Sequence, residues 1–187
     1  MQNNYTYDVA MFRDTFETRF TYLNGFMRNV SRFKTRPAMT DPLSGRRWTY
    51  EELNIEANRL AHALRASGVG KNDVVMFTLL NSPEFVFCYL AAHKVGAIAC
   101  PVNYRQGAGE IALVIDDSCP KAFLYDAEFG ELSAGALNMC QHKPGAVVMV
   151  DYKGGAQVPK GHILYKDYVS GQSEDDPPVD FHPHIYD

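Results

Sequence analysis

The chain has 187 residues, of which 46% are hydrophobic and 21% are charged, and its formal net charge at pH 7 is −4. This length allows one sizeable domain, or one domain with a tail, and the hydrophobic content excludes a wholly disordered chain. The slightly negative charge provides no basic surface, which argues against nucleic acid as a partner.

The sequence shows no feature of a membrane or secreted protein. Its longest apolar runs, Val74–Leu80 and Phe85–Ala92, are far shorter than the roughly 20 residues that a transmembrane helix requires, so no transmembrane span is predicted. The N-terminus lacks a basic stretch followed by an apolar one, and no signal peptide is predicted. The cysteines form no Cys-x-x-Cys pair, which favours buried free thiols and a reducing, cytoplasmic location. They are Cys88, Cys100, Cys119 and Cys140.

The N-terminal third predicts a helix, a hairpin and a second helix. Apolar residues from Phe12 to Val30 recur at steps of three and four, which predicts one amphipathic helix ending near residue 33. The turn sequence Asp41–Gly45 separates two short extended stretches and predicts a small β-hairpin near residues 37–50. Thr49 and Glu52 have the spacing of a capping box, so a second helix is expected to begin here and to end at Gly68.

From Val74 onward, strand and helix patterns alternate. Ser82, Pro83 and Glu84 have the character of a helix start, and Gly96 has that of a helix end. The predicted strands are 74–80, 97–102, 121–125 and 146–150, and the helices between them are 83–95, 110–117 and 128–140. A short helix is predicted over 163–169. Such alternation predicts an α/β fold with a mostly parallel sheet flanked by helices.

The last residues differ in composition from the rest of the chain. Ser173–Pro178 is acidic and contains two prolines, which predicts a linker with little capacity to bury anything. We therefore expect an α/β unit over residues 1–172 and a linker and stub over residues 173–187. His182 and His184 lie in this stub, and we interpret them as incidental, so no metal site is predicted.

Two glycine-containing segments suggest nucleotide binding, but one departs from the motif and the other lies in an unusual position. Gly68-Val-Gly-Lys71 lacks the earlier glycine of a Walker loop and follows a helix instead of opening one. Gly107-Ala-Gly109-Glu-Ile-Ala112 fits the dinucleotide pattern G-x-G-x-x-A, with Asp126 near the position of a ribose-binding acid. However, four residues separate Gly107 from the preceding strand, and this is the third βα unit. Dinucleotide binding is left as an alternative.

Asn103, Tyr104 and Arg105 are the predicted ligand-binding residues. They follow the strand 97–102, and open α/β sheets bind ligands at the carboxyl ends of their strands. The Arg105 guanidinium has the geometry to bind a phosphate or carboxylate through two hydrogen bonds, although physical reasoning alone favours a surface ion pair. No catalytic residue is predicted, because no nucleophile–base pair or carboxylate pair can be assembled from the spacing.

Two segments resemble signature motifs of the adenylate-forming enzymes, which include acyl-CoA synthetases, luciferases and peptide-synthetase adenylation domains. Trp48-Thr-Tyr-Glu-Glu-Leu53 is similar to the first motif, and Ala92-His-Lys94-Val-Gly96-Ala97-Ile-Ala-Cys-Pro101-Val-Asn103 is similar to the second. The resemblance extends from about Phe12 to Asp180. Asn103-Tyr-Arg105 favours the fatty- and aryl-acid ligases within this group.

This resemblance implies an N-terminal portion of an acyl-CoA synthetase that uses ATP, Mg²⁺ and coenzyme A (CoA) to activate a carboxylic acid through an acyl-adenylate. The family's phosphate loop would follow the region matched by Pro177–Asp187, and no Thr-Ser-Gly-Thr-Thr-Gly stretch occurs in this sequence. We therefore expect the chain alone to be catalytically inactive and to bind none of these cofactors tightly. Its expected partners are the downstream part of the enzyme and the acid substrate, and a homodimer is left open.

The sequence leaves two alternatives to the N-terminal portion of a ligase. The first is a free-standing module that binds a dinucleotide or CoA, and the second is a subunit that complements a separate catalytic chain.

Overall fold

The computed structural model describes residues 8–178 and residue 181. The elements in chain order are α1 (Val9–Arg19), α2 (Tyr22–Phe33), β1 (Pro37–Thr40), β2 (Arg47–Thr49), α3 (Tyr50–Ala66), β3 (Val74–Thr78), α4 (Pro83–Lys94), β4 (Ile98–Pro101), α5 (Ala108–Ser118), β5 (Ala122–Asp126), α6 (Gly130–Met139), β6 (Ala146–Val150), β7 (Ile163–Leu164) and α7 (Tyr165–Tyr168). The alternation of strands and helices after α3 confirms the predicted α/β fold.

The strands form two sheets. β3 to β7 make a five-stranded, wholly parallel sheet in the order β4-β3-β5-β6-β7. β1 and β2 pair in antiparallel fashion, with Pro37 opposite Thr49 and Thr40 opposite Arg47. This pair is the predicted hairpin, and it lies outside the main sheet.

Helices cover both faces of the parallel sheet, so its central strands β3 and β5 are apolar up to their last residues, Thr78 and Asp126. In β5, Leu124 faces α3 and α4, whereas Phe123 and Tyr125 face α5 and α6. All three side chains are fully buried. The sequence pattern of continuous apolar strands follows directly from this two-sided burial.

The direction in which the chain crosses the sheet reverses between β3 and β5. From β3 the chain passes through α4 to the edge strand β4, and it then returns through α5 to β5 on the other side of β3. α4 packs on one face of the sheet and α5 and α6 pack on the other. The gap between the carboxyl ends of β3 and β5 is therefore the topological switch point, where such sheets usually bind ligands.

The helix boundaries around α3 are as predicted. The Thr49 hydroxyl accepts a hydrogen bond from Glu52 N at 3.2 Å, and the Glu52 carboxylate accepts one from Thr49 N at 2.8 Å, which completes the capping box. Gly68 has a φ of +82°, a left-handed conformation that favours glycine after a helix end.

The prediction of one N-terminal helix over residues 12–33 is wrong. The structure has two helices, because Phe20 leaves the helical conformation and Thr21 caps α2 by accepting a hydrogen bond from Asn24 N. The aromatic stripe of α1 packs on itself: the ring centroids of Phe12 and Phe16 are 4.3 Å apart, and those of Phe16 and Phe20 are 4.7 Å apart. No residue of α1 is buried.

Three smaller predictions also need correction. Ile163 and Leu164 pair with β6 as a fifth strand before the helical turn α7, instead of forming a helix over 163–169. Ser82 occupies the N-cap position of α4 but makes no side-chain capping hydrogen bond. All four cysteines are free, but only Cys88 and Cys140 are buried, and Cys119 is exposed.

The acidic segment after α7 is more closely packed than its composition predicts. Asp176 pairs with the buried Lys94 side chain, and Pro177 is itself buried. The expectation that Ser173–Pro178 has little capacity to bury anything fails at Pro177, whereas the other five residues are exposed. The proposed division of the chain at residue 172 stays a prediction. Among the described helices, none is both long enough and apolar enough to span a bilayer.

Candidate functional site

A cleft of about 510 Å³ lies at the switch point of the sheet. It is lined by residues at or after the carboxyl ends of three strands and by one residue of the hairpin loop: Leu43, Leu80, Asn81, Ser82, Asp126, Ala127, Glu128, Asp151, Tyr152, Lys153, Gly154 and Ala156. Because the strands are parallel, their carboxyl ends meet at one edge and bring these separate segments together. The cleft is the candidate functional site.

Its charged groups are three carboxylates and one ammonium. Asp126 is only 4% exposed, and its carboxylate accepts a hydrogen bond from Glu128 N at 3.0 Å. Burial raises the pKa of Asp126. Lys153 forms an ion pair with Glu128. With Asp151 also on the wall, the lining carries an excess of negative charge, which disfavours a phosphate.

The glycine-rich loop after β6 is held in place by Asp151. The two carboxylate oxygens of this residue accept hydrogen bonds from Gly154 N at 2.9 Å and from Ala156 N at 2.8 Å. The loop therefore forms a defined wall of the cleft, and the Asp151 carboxylate is largely used in shaping it.

The hairpin loop is fastened to the same edge by Asp41. This residue is 5% exposed, and its carboxylate accepts hydrogen bonds from Leu43 N, Ser44 N and the hydroxyls of Ser44 and Tyr152. These bonds hold the pKa of Asp41 at about 2, with the Ser44 hydroxyl making the largest contribution. Asp41 thus joins the hairpin to the segment that follows β6 and keeps Leu43 over the cleft.

We expect this junction to weaken in acid. Because the pKa of Asp41 is lower in the folded chain, its ionised form stabilises the fold above the ordinary pKa of about 3.9, and this contribution disappears as the pH falls toward 2. Asp41→Asn should therefore lower the thermal midpoint at pH 5, and the gap between parent and variant should narrow toward pH 2. Thermal unfolding followed by circular dichroism would measure both. A gap that stays constant with pH would contradict this assignment.

A second cavity, of about 430 Å³, adjoins the first and shares Asp151, Gly154 and Ala156 with it. Glu84, in the first turn of α4, lies on its wall together with Tyr165. The Glu84 Oε2 atom and the Tyr165 hydroxyl are both buried and have no hydrogen-bond partner among the described residues. Burial raises the pKa of Glu84. Both atoms lie close to the candidate site.

The predicted ligand-binding residues lie at the same edge of the sheet but outside the cleft. Asn103 Oδ1 accepts a hydrogen bond from Arg105 N at 3.0 Å, which forms a local turn. The Tyr104 ring stacks on Phe129 with centroids 5.1 Å apart, and the Arg105 guanidinium lies 5.7 Å from the Tyr104 ring. All three residues are exposed. A role for them in binding a cofactor stays a prediction.

The dinucleotide alternative is disfavoured by the start of α5. A carboxylate of this helix, Glu110 Oε2, accepts a hydrogen bond from Gly107 N at 2.7 Å. In a dinucleotide site this helix N-terminus would face a pyrophosphate. Here the position already carries a negative charge, and the preceding strand β4 is at the edge of the sheet.

The cleft residues Asp126, Glu128 and Asp151 were not predicted to act together. The available signal was that Asp126 and Asp151 each directly follow a predicted strand, with Glu128 two residues after Asp126. The strand order cannot be read from the sequence, so the carboxyl end of β4 was as good a candidate for the ligand site as the carboxyl ends of β3 and β5. In the structure β4 lies at the edge of the sheet. No group of three or more His, Cys, Asp or Glu side chains that could hold a metal ion occurs within residues 8–178 and residue 181.

The family model described as AMP-binding enzyme matches residues 26–183. The 3-hydroxybenzoate–CoA/4-hydroxybenzoate–CoA ligase of Thauera aromatica is 36% identical over 125 residues, which cover 67% of this chain and 23% of the ligase. The long-chain-fatty-acid–CoA ligase FadD13 of Mycobacterium tuberculosis is 39% identical over 90 residues, which cover 48% of this chain and 18% of that protein.

Solved structures agree with these matches. The anthranilate CoA ligase AuaEII, in complex with anthranoyl-AMP, superposes with a TM-score of 0.73 at 23% identity, covering 86% of this chain and 30% of the ligase. At that identity the likeness establishes the fold. The chain spans roughly a quarter of the length of the curated relatives it matches.

Proposed function

The chain belongs to the AMP-binding family of adenylate-forming enzymes, and from this membership we propose that it is the N-terminal portion of an ATP-dependent ligase that joins an aryl or fatty acid to CoA. In such a ligase the substrate carboxylate attacks the α-phosphorus of ATP and releases pyrophosphate. The CoA thiolate then attacks the carbonyl carbon of the acyl-adenylate and releases AMP. ATP, Mg²⁺ and CoA are accordingly the cofactors of the whole protein.

The observation that carries this proposal is the family match over residues 26–183, which includes both signature segments. The residues of the cleft also support a proposal about which parts of the ligands this chain contacts. The cleft wall has three carboxylates and one lysine that is already paired, which disfavours the phosphate groups of the ligands. We therefore assign the cleft to their uncharged parts, the acyl group or the pantetheine arm of CoA. We propose that this chain provides one wall of those binding sites and that the phosphate-binding groups lie elsewhere in the whole protein.

The decisive experiment is an assay of the protein produced from the complete coding sequence that contains this chain. Incubation with ATP, Mg²⁺, CoA and either hydroxybenzoates or long-chain fatty acids should release AMP and pyrophosphate in an acid-dependent manner. Two matched panels, one of aryl and one of alkyl acids, would identify the substrate class. Absence of product with every acid in both panels would refute the proposed reaction.

The 187-residue chain alone is expected to show no carboxylate-dependent pyrophosphate exchange. The reason is that preorganised cationic and amide donors are needed to stabilise the charge that develops on phosphate, and a cleft with an excess of carboxylates opposes this charge. Exchange of radiolabelled pyrophosphate into ATP measures the activity, with the whole protein as positive control. Exchange above background with the short chain would contradict the prediction.

The subunit alternative predicts a different result in the same assay. If this chain complements a separate polypeptide, it should co-purify with that polypeptide, and mixing the two should restore exchange. A cytoplasmic location and a homodimer also remain proposals, and the free cysteines at positions 88, 100, 119 and 140 support the former because they fit a reducing compartment.

A further inference from the structure

The segment of residues 173–178, which we call the strap, lies against the outer face of α3. Three of its backbone carbonyl groups meet side chains of that helix. Asn58 Nδ2 donates to Glu174 O at 2.6 Å, His62 Nε2 is 3.0 Å from Asp175 O, and Arg65 Nη1 donates to Pro178 O at 3.3 Å. Positions 58, 62 and 65 are four and three residues apart, so they share one face of the helix. α3 therefore has a polar outer face whose side chains pair with the backbone of the strap.

A buried charge anchors the middle of the strap. The Lys94 side chain is 3% exposed, and its ammonium donates to Asp176 Oδ1 at 2.7 Å. Asn54 Nδ2 donates to the same oxygen at 3.1 Å. The other described contact of the ammonium is the Met27 sulfur at 3.4 Å. An ammonium removed from water needs a counter-charge, and the strap supplies it.

A second anchor lies at the end of the described chain. Phe181 packs directly on Gly96: a Cβ atom at position 96 would be 2.9–3.1 Å from three ring carbons. Gly96 also has a φ of +71°, which favours glycine. The Lys71 ammonium lies 6.0 Å from the centre of the same ring. The ring thus occupies space that only a residue without a side chain leaves free.

We propose that the outer face of α3, Lys94 and Gly96 form a receptor site for the chain's own acidic segment, comprising the strap and Phe181. Lys94 and Gly96 are then positioning residues that fix where the chain runs after α7. This inference does not depend on the proposed function. It assigns Lys94 and Gly96, which both lie in the segment Ala92–Asn103, a structural role that involves neither nucleotide nor CoA.

The first test measures strap mobility in the intact 187-residue chain by ¹⁵N relaxation. Amide order parameters of residues 174–176 should be about 0.85 in the parent chain and should fall below about 0.6 in Lys94→Met. Lys160→Met, which changes an exposed lysine, is the control and should leave them unchanged. The thermal midpoint of Lys94→Met should not fall, because methionine fills the site without a buried charge. A strap that stays ordered in Lys94→Met, or one already mobile in the parent chain, would overturn the proposal.

The second test isolates the contact with Phe181. Gly96→Ala and Gly45→Ala both place a side chain at a left-handed φ, +71° and +72°, but a Cβ at Gly45 meets nothing within 4 Å. Gly96→Ala should lower the thermal midpoint by about 2–4 °C more than Gly45→Ala. In a Phe181→Ala background this difference should disappear. A difference that persists there would show that Gly96 is needed for another reason and would refute the role assigned to it.

Discussion

Trp48→Ala should lower the free energy of unfolding by about 3–5 kcal/mol, the range for removing a large aromatic side chain from a packed core. The Trp48 side chain is 3% exposed and meets the Phe87 ring edge-on, with centroids 5.9 Å apart. The Arg46 guanidinium covers it at 4.5 Å. Trp48 therefore joins the hairpin to α4, and its loss leaves a cavity between them. Urea denaturation followed by far-ultraviolet circular dichroism would measure the change.

Two other variants of the same segment separate packing from capping. Trp48→Phe should restore a large part of the lost stability, because an aromatic ring still fills the site. Thr49→Ala removes the capping hydrogen bond to Glu52 N and should cost only about 1 kcal/mol. If Trp48→Ala instead left stability unchanged, Trp48 would not stabilise the packing of the hairpin against α4, and the first signature segment would need another role.

The signature segments thus act mainly through the fold. Trp48–Leu53 combines a core aromatic residue with a capping box at the start of α3. Ala92–Asn103 contains the buried Lys94 and the left-handed Gly96, both of which contact the acidic end of the described chain. Each of these residues therefore has a role in packing or helix capping, and the absence of a catalytic group from both segments stays a prediction.

Local sequence patterns predicted the elements well because each pattern has a local physical cause. The capping box at Thr49 and Glu52 depends on residues three apart, and the apolar run 74–78 needs only burial on both faces of a sheet. The break at Thr21 was missed because the aromatic periodicity continues through it, while α1 gains no burial from that stripe. The Thr21 cap, which lies inside the apolar pattern, begins a second helix.

The candidate site was less predictable because it depends on contacts between distant residues. Asp41 and Tyr152 are 111 positions apart, yet their hydrogen bond fastens the hairpin over the cleft. Lys94 and Asp176 are 82 positions apart, and their pairing makes an acidic segment part of the packed structure. Neither pair leaves a periodic signal, so only the strand order and the folded path of the chain bring them together.

Asp176→Ala should destabilise the chain by about 2–3 kcal/mol, as measured by urea denaturation at pH 7. The change leaves the Lys94 ammonium buried without its counter-charge, which costs 3–5 kcal/mol when both partners are fully buried. The cost is smaller here because the Asp176 side chain is 51% exposed and water can enter in its place. Lys94→Met in the same chain should then restore stability to near the parent value, since no unpaired charge remains. Additive losses from the two changes would contradict the pairing.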